Sequence, residues 1–86
     1  MTYRAEFDRD FIEDLTYWTN KDRKTALKVL RLVEATLRDP FGGIGKPERL
    51  KYLGAGVWSR RITREHRLVY QVTEDRIGFV QARLHY

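Results

Sequence analysis

The sequence predicts an α+β fold, with an N-terminal strand and two helices packed on a mainly antiparallel, twisted sheet. Three observations carry that prediction. Between Asp8 and Arg38 apolar residues recur three and four apart, the spacing of one helix face. From Val57 onward apolar and polar residues alternate, the period of a strand with one face covered. Between these two regimes stand Pro40, Gly42, Gly43 and Gly45, residues that interrupt both kinds of element.

In chain order, Tyr3, Ala5 and Phe7 alternate with polar neighbours and give a short strand within Thr2 to Phe7. Asp8 follows in a capping place, where a carboxylate accepts from the free amides of a first helical turn. The first helix carries Phe11, Ile12, Leu15 and Trp18 as its apolar stripe, with Asp10, Glu13 and Asp14 outside it. Asn20 is the expected break and cap. A second helix then runs from about Lys21 to Arg38, with Ala26, Val29, Leu30, Val33 and Leu37 inward. Its cations Lys21, Arg23, Lys24, Lys28 and Arg31 crowd the first half, where they oppose the helix dipole by a few tenths of a kcal/mol each. A solvated face and a contact with an anionic partner both account for them.

Pro40 stops the second helix, because proline disfavours the α conformation at Asp39. The loop PFGGIGKPERLK that follows is pliable, but it lacks the spacing of a Walker phosphate loop. Leu50 is the inward anchor of the next strand, and Gly54 and Gly56 turn the chain into a hairpin. Glu74 and Asp75 supply the next tight turn, and Ile77 to Leu84 forms the closing strand, with Arg83 and His85 on one face if alternation continues.

The hairpin, VWSRRITREHRLVY from Val57 to Tyr70, holds four arginines and a histidine. Alternation puts Ser59, Arg61 and Thr63 on one side and Trp58, Arg60 and Ile62 on the other, with Trp58 as a core anchor and His66 as a structural turn residue. Past the turn, Arg67, Val69 and Gln71 share a side, so Arg67 lies across from Arg61 if the register allows. Two guanidiniums side by side repel unless something negative sits between them, which points to an anion. The plainer reading is that each arginine solvates an open sheet face.

Composition bounds the function. The 86 residues make one small domain, 1–86, and the absence of cysteine excludes disulfides and thiolate metal sites. Two well separated histidines make no zinc set, so neither metal nor cofactor is expected. No apolar run approaches the ~20 residues of a membrane helix and no secretory leader is visible, so a cytoplasmic protein without a membrane partner is expected. Seventeen basic against twelve acidic residues, a net charge of +5, favour a polyanion or an acidic protein as partner.

GIGKPERLK, then WSRRITREHRLVY, then the terminal RLHY occur in the order and spacing of the YoeB family of bacterial toxins, which this chain resembles over nearly its whole length. Tyr17 with Trp18 in the first helix, and Asp39 to Phe41 at the loop entrance, extend the resemblance. It implies a RelE-like fold and a toxin of a type II toxin-antitoxin system. It also implies a ribosome-dependent endoribonuclease that cuts mRNA in the decoding (A) site, inhibits translation, and is held inactive by a cognate antitoxin. Homodimerisation is a further habit of the family. Carried over by motif, Glu48 takes the place of the general base, Arg67 that of the transition-state arginine, and His85 and Tyr86 that of the catalytic C-terminal pair. Lys51 and Arg61 match phosphate-binding positions, and basic Lys46 joins them. The commoner ending is R-Y-H-Y, and Leu84 stands here where a tyrosine often does.

That chemistry asks for such residues. Metal-free RNA cleavage uses the ribose 2′-hydroxyl as nucleophile, so a site must take its proton, brace a charged phosphorane and protonate the departing 5′-oxygen. His85 suits the acid, and Arg67 and Arg61 suit the equatorial oxygens. Glu48 either serves as a base once desolvated or orients a hydroxyl or an arginine. Two rivals are a ParE-type toxin, which poisons a topoisomerase without cutting RNA, and a plain RNA-binding module. The set Glu48, Arg67, His85 and Tyr86 speaks against the first, the second predicts salt-dependent binding without strand cleavage, and new RNA ends would exclude both.

Overall fold

The structure, a computed structural model, describes residues 2–84. Its elements are β1 (Arg4–Phe7), α1 (Arg9–Lys21), α2 (Arg23–Arg38), β2 (Glu48–Arg49), a 3-10 turn (Lys51–Leu53), β3 (Val57–Arg61), β4 (Arg67–Val72) and β5 (Arg76–Gln81). The five strands form one sheet in the order β1-β5-β4-β3-β2. The expected α+β architecture is what the chain adopts. Pairing is antiparallel except between β1 and β5, which run parallel with Arg4 opposite Arg76 and Phe7 opposite Phe79.

Both helices cover one face of the sheet. Phe11 and Trp18 of α1 and Ala26, Val29, Leu32 and Val33 of α2 pack on Ile62, Leu68, Tyr70, Ile77, Phe79 and Ala82. Each such side chain contributes about 1.5–3 kcal/mol on leaving water. A smaller cluster, Leu50, Val57 and Val69 with Val80 against it, lies apart from that core.

The predicted stripes shift in detail. The buried arc of α2 is centred on Val29 and Thr36, so Thr25 and Leu32 fall inside it while Leu30, 48% exposed, lies beyond its edge. Thr36 is admitted because its hydroxyl donates to the Leu32 carbonyl at 2.6 Å. Ile12 is likewise exposed, leaving Phe11 and Trp18 as the buried residues of α1. Asn20 breaks nothing and lies inside α1. The cap of α2 is Asp22, whose carboxylate accepts from the Thr25 N–H at 3.4 Å and the Thr25 hydroxyl at 2.8 Å. These bonds hold its carboxyl below the ordinary range, the Thr25 hydroxyl foremost. Asp8 takes the capping place of α1 without a side-chain bond, and its N–H donates instead to the Phe79 carbonyl at 2.9 Å.

The last strand stops at Gln81 rather than reaching Leu84. A bulge places Val69 opposite Gln81 but Tyr70 opposite Phe79, so Val80 is the extra residue. Beyond it, side chains of α1 take the peptide groups that a neighbouring strand would have used. Asp14 accepts from the Ala82 N–H at 2.9 Å, and Trp18 Nε1 donates to the Ala82 carbonyl at 2.8 Å. The Arg83 guanidinium then lies 3.5 Å over the Tyr17 ring. The alternation expected to run on through Arg83 is therefore interrupted.

Candidate functional site on the open face of the sheet

The register of the hairpin is the one that pairs its two outward arginines. Arg61 lies opposite Arg67, Ser59 opposite Val69, and Trp58 opposite Tyr70. On the other side of β3, Glu48 lies opposite Ser59. Side chains at directly opposed positions share a face, so Glu48, Ser59, Arg61 and Arg67 all stand on the face away from the helices.

There Arg67 reaches diagonally across β3. Its Nη1 is 3.6 Å from Glu48 Oε1 and 3.4 Å from Ser59 Oγ. Both contacts are longer than a charge-assisted hydrogen bond of about 2.7–2.9 Å. The Glu48 side chain is 64% exposed and that of Arg67 24%, so the pair is a water-facing contact worth about 0–1 kcal/mol. A phosphate can displace Glu48 from Arg67 at small cost and leave the carboxylate free. Arg61 is exposed beside them, and among the described residues no carboxylate pairs with Arg61, Lys46 or Lys51. Lys46, in the left-handed region at φ 51°, and Lys51, in the 3-10 turn, flank β2 in the chain and are exposed.

Of the remaining candidates, His85 and Tyr86 lie outside the described residues. The chain arrives beside Arg67 nonetheless, because the Arg67 N–H donates to the Leu84 carbonyl at 3.0 Å.

Arg60 does not solvate an open face, as the plainer reading of the arginines had it. It is fully buried on the helix side. Its Nη1 donates to the Ile44 carbonyl at 2.7 Å, its Nη2 to the carbonyls of Gly42 (2.8 Å) and Asp39, and its Nε to the Tyr70 hydroxyl at 3.2 Å. Tyr70 in turn donates to the Pro40 carbonyl at 2.7 Å. The glycine-rich loop thus turns its carbonyls inward onto a cation instead of offering amides to an anion. Gly45 closes the loop onto β3, accepting from the Arg61 N–H at 2.7 Å. At φ +86° it is in glycine's region, and a Cβ there would meet Leu32 Cδ2 at 2.9 Å. The clue in the sequence was parity, since Arg60 alternates with Ser59 and Arg61 and shares the side of Trp58 and Ile62.

A family model described as YoeB-like toxin of bacterial type II toxin-antitoxin system matches residues 7–86. The toxin YoeB of Mycobacterium bovis is 51% identical over 82 residues, covering 95% of this chain and 96% of that protein. Among solved structures, a YoeB/ParE toxin from Agrobacterium tumefaciens superposes with a TM-score of 0.90 at 40% identity, covering 96% and 99% of the two chains. A YoeB dimer from Staphylococcus aureus gives 0.88 at 37% over the whole of both chains. The YoeB-YefM complex from the same organism gives 0.83 at 36%, again over both chains entire. Among the described residues no helix is long and apolar enough to cross a membrane. With a family model matched over almost all of its length and relatives about half identical, this chain belongs to the YoeB-like toxins of bacterial type II toxin-antitoxin systems.

Proposed function

We propose that the chain is a metal-independent endoribonuclease that cuts mRNA in the decoding site of the ribosome, inhibits translation and is silenced by a cognate antitoxin. The observation that carries this reading is the Glu48 carboxylate 3.6 Å from Arg67 on an open sheet face, with the Arg61 guanidinium across the hairpin from Arg67. On a docking surface a carboxylate against the central arginine would only offset the positive charge that attracts an anion. A phosphoryl-transfer site has a use for one, because it must accept a proton next to the phosphate that it holds.

On this reading the scissile phosphate draws Arg67 off Glu48 and settles against the Arg67 and Arg61 forks. Glu48 then faces the ribose 2′-hydroxyl, taking its proton or orienting it as the oxygen attacks phosphorus. The two guanidiniums brace the added charge, the bond to the 5′-oxygen breaks, and His85 protonates that leaving oxygen beside Tyr86. The products are a 2′,3′-cyclic phosphate and a free 5′-hydroxyl. Lys46 and Lys51, uncommitted to carboxylates among the described residues, are the positions for flanking phosphates, while Arg61 shares the scissile one with Arg67. The YoeB-YefM complex of the relative supports an antitoxin as partner, and the relative's dimer supports self-association.

The test is cleavage of an mRNA placed on purified ribosomes by the wild type, Arg67→Ala and His85→Ala, with circular dichroism to show that each folds. Cutting in the decoding site that both folded variants lose by roughly 10²-fold or more supports the reading. Binding without new RNA ends overturns it in favour of a docking protein, and a topoisomerase assay then decides for the ParE-type alternative.

A further inference from the structure

Leu84 is bracketed by two consecutive residues, His66 at the end of the hairpin turn and Arg67 at the start of β4. Its carbonyl accepts from the Arg67 N–H at 3.0 Å, and its own N–H donates to His66 Nδ1 at 2.7 Å. Between those bonds the chain turns through φ 62°, a left-handed conformation that leucine adopts only where its surroundings impose it. The leucine side chain supplies no such constraint, being 60% exposed. The two peptide-group bonds do.

His66 is itself firmly placed. Its N–H donates to Thr63 Oγ1 at 3.2 Å, and its carbonyl accepts from the N–H groups of Ile62 and Thr63 at 2.9 and 3.2 Å. Its ring stands at 81° to the Trp18 ring with centroids 4.7 Å apart, and Trp18 also holds the Ala82 carbonyl. The imidazole, the first helix and the chain from Ala82 to Leu84 therefore form one connected unit ending beside Arg67. A ring nitrogen accepts a hydrogen bond only when it carries no proton, so the bond to Leu84 selects the neutral ring with its hydrogen on Nε2.

We propose that His66 is a positioning residue for RNA cleavage. Its Nδ1 fixes the Leu84 peptide beside Arg67, the last described peptide before the residues proposed as the catalytic pair. This rests on the endoribonuclease reading above. It gives the turn histidine a role distinct from holding the hairpin together, and it explains how Leu84 can replace a tyrosine, since residue 84 is held by its peptide groups and not by its side chain.

The test combines cleavage on ribosomes by wild type, His66→Ala and His66→Asn with nitrogen NMR of the histidine rings and hydrogen exchange of the Leu84 amide in the free protein. The expected ring signal is that of an unprotonated, hydrogen-bonded Nδ1, with the Leu84 amide protected. His66→Ala is expected to lower kcat by roughly 10–100-fold with KM changed by less than about twofold, as misplacement of a reacting group does. His66→Asn, whose side-chain oxygen can accept where Nδ1 did, should recover most of that loss. A ring protonated at Nδ1, an unprotected Leu84 amide, full cleavage by His66→Ala, or equal losses in the two folded variants would each overturn the proposal. Should His66→Ala fail to fold, the asparagine variant and the wild-type ring signal decide. A wild type that cuts nothing overturns the endoribonuclease reading and the positioning role with it, even with the His66 bond intact in the spectrum.

Discussion

The Arg60 guanidinium lies inside the molecule with its Nε 3.2 Å from the Tyr70 phenol and its central carbon 5.7 Å from the centre of that ring. Arg60 and Arg61 are chain neighbours with opposite tasks, the first binding the protein's own carbonyls and the second facing solvent. Arg60→Met leaves the carbonyls of Asp39, Gly42 and Ile44 without their donor. It is expected to cost about 3–5 kcal/mol in urea unfolding. Arg60→Lys should recover only part of that, because a compact ammonium lacks the spread planar donors with which the guanidinium reaches three carbonyls and the Tyr70 hydroxyl at once.

Tyr70 carries a pH signature. Burial pushes its phenol above the ordinary value, and the neighbouring Arg60 charge only partly offsets this. With the folded value above an unfolded value of about 10, the neutral phenol's contribution is complete below pH ~10 and is lost as pH rises through the folded value. Tyr70→Phe is expected to be less stable by about 1 kcal/mol at pH 8, where the bond to Pro40 is missing. Melting temperatures measured between pH 8 and pH 11 should show the gap narrowing above about pH 10.

Asp22 carries the opposite sign. Its folded value is depressed by Thr25, so its contribution is present above an unfolded value of about 4 and is lost as pH falls through the folded value. Asp22→Ala should lower the melting temperature at neutral pH. The difference from wild type should shrink progressively below about pH 4, and a constant gap would remove the carboxylate from the account of the cap.

Arg67→Lys separates charge from shape at the proposed site. The ammonium keeps the positive charge and the backbone bond to Leu84 but loses the planar fork. Stability should change by less than about 1 kcal/mol, since the pair with Glu48 is water-facing. Cleavage on ribosomes should fall by roughly 10²-fold.

Local chemistry made much of this fold readable in advance. The spacing of Phe11, Leu15 and Trp18 named a helix, Pro40 ended the next one, and alternation on both sides of Thr63 to His66 gave the hairpin and left the pairing of Arg61 with Arg67 to the register. What escaped were choices settled by contacts distant in sequence. Leu30 and Leu32 are equally apolar, and only the lie of α2 on the sheet decides which is covered. Asn20 and Asp22 are both capable caps, and Thr25 decides between them by bonding Asp22. The strand after Asp75 has the composition to reach Leu84, yet Asp14 and Trp18 claim the Ala82 peptide groups first. The proposed site divides in the same way. Motif resemblance singled out Glu48 and Arg67, while their adjacency depends on β2 pairing with β3 beside Ser59. Arg60, hidden among the hairpin's three other arginines, required the loop carbonyls to become visible.

The pairing of β1 with β5 also sets a timetable. Among the described strands the first to be synthesised, β1, has as its sheet neighbour the last, β5, and Asp14 and Trp18 of the first helix wait for Ala82. Contacts spanning nearly the whole chain form late and slowly. A growing copy of this toxin therefore cannot close its sheet until β5 has been made, although Glu48 and Arg67 are in the chain before it.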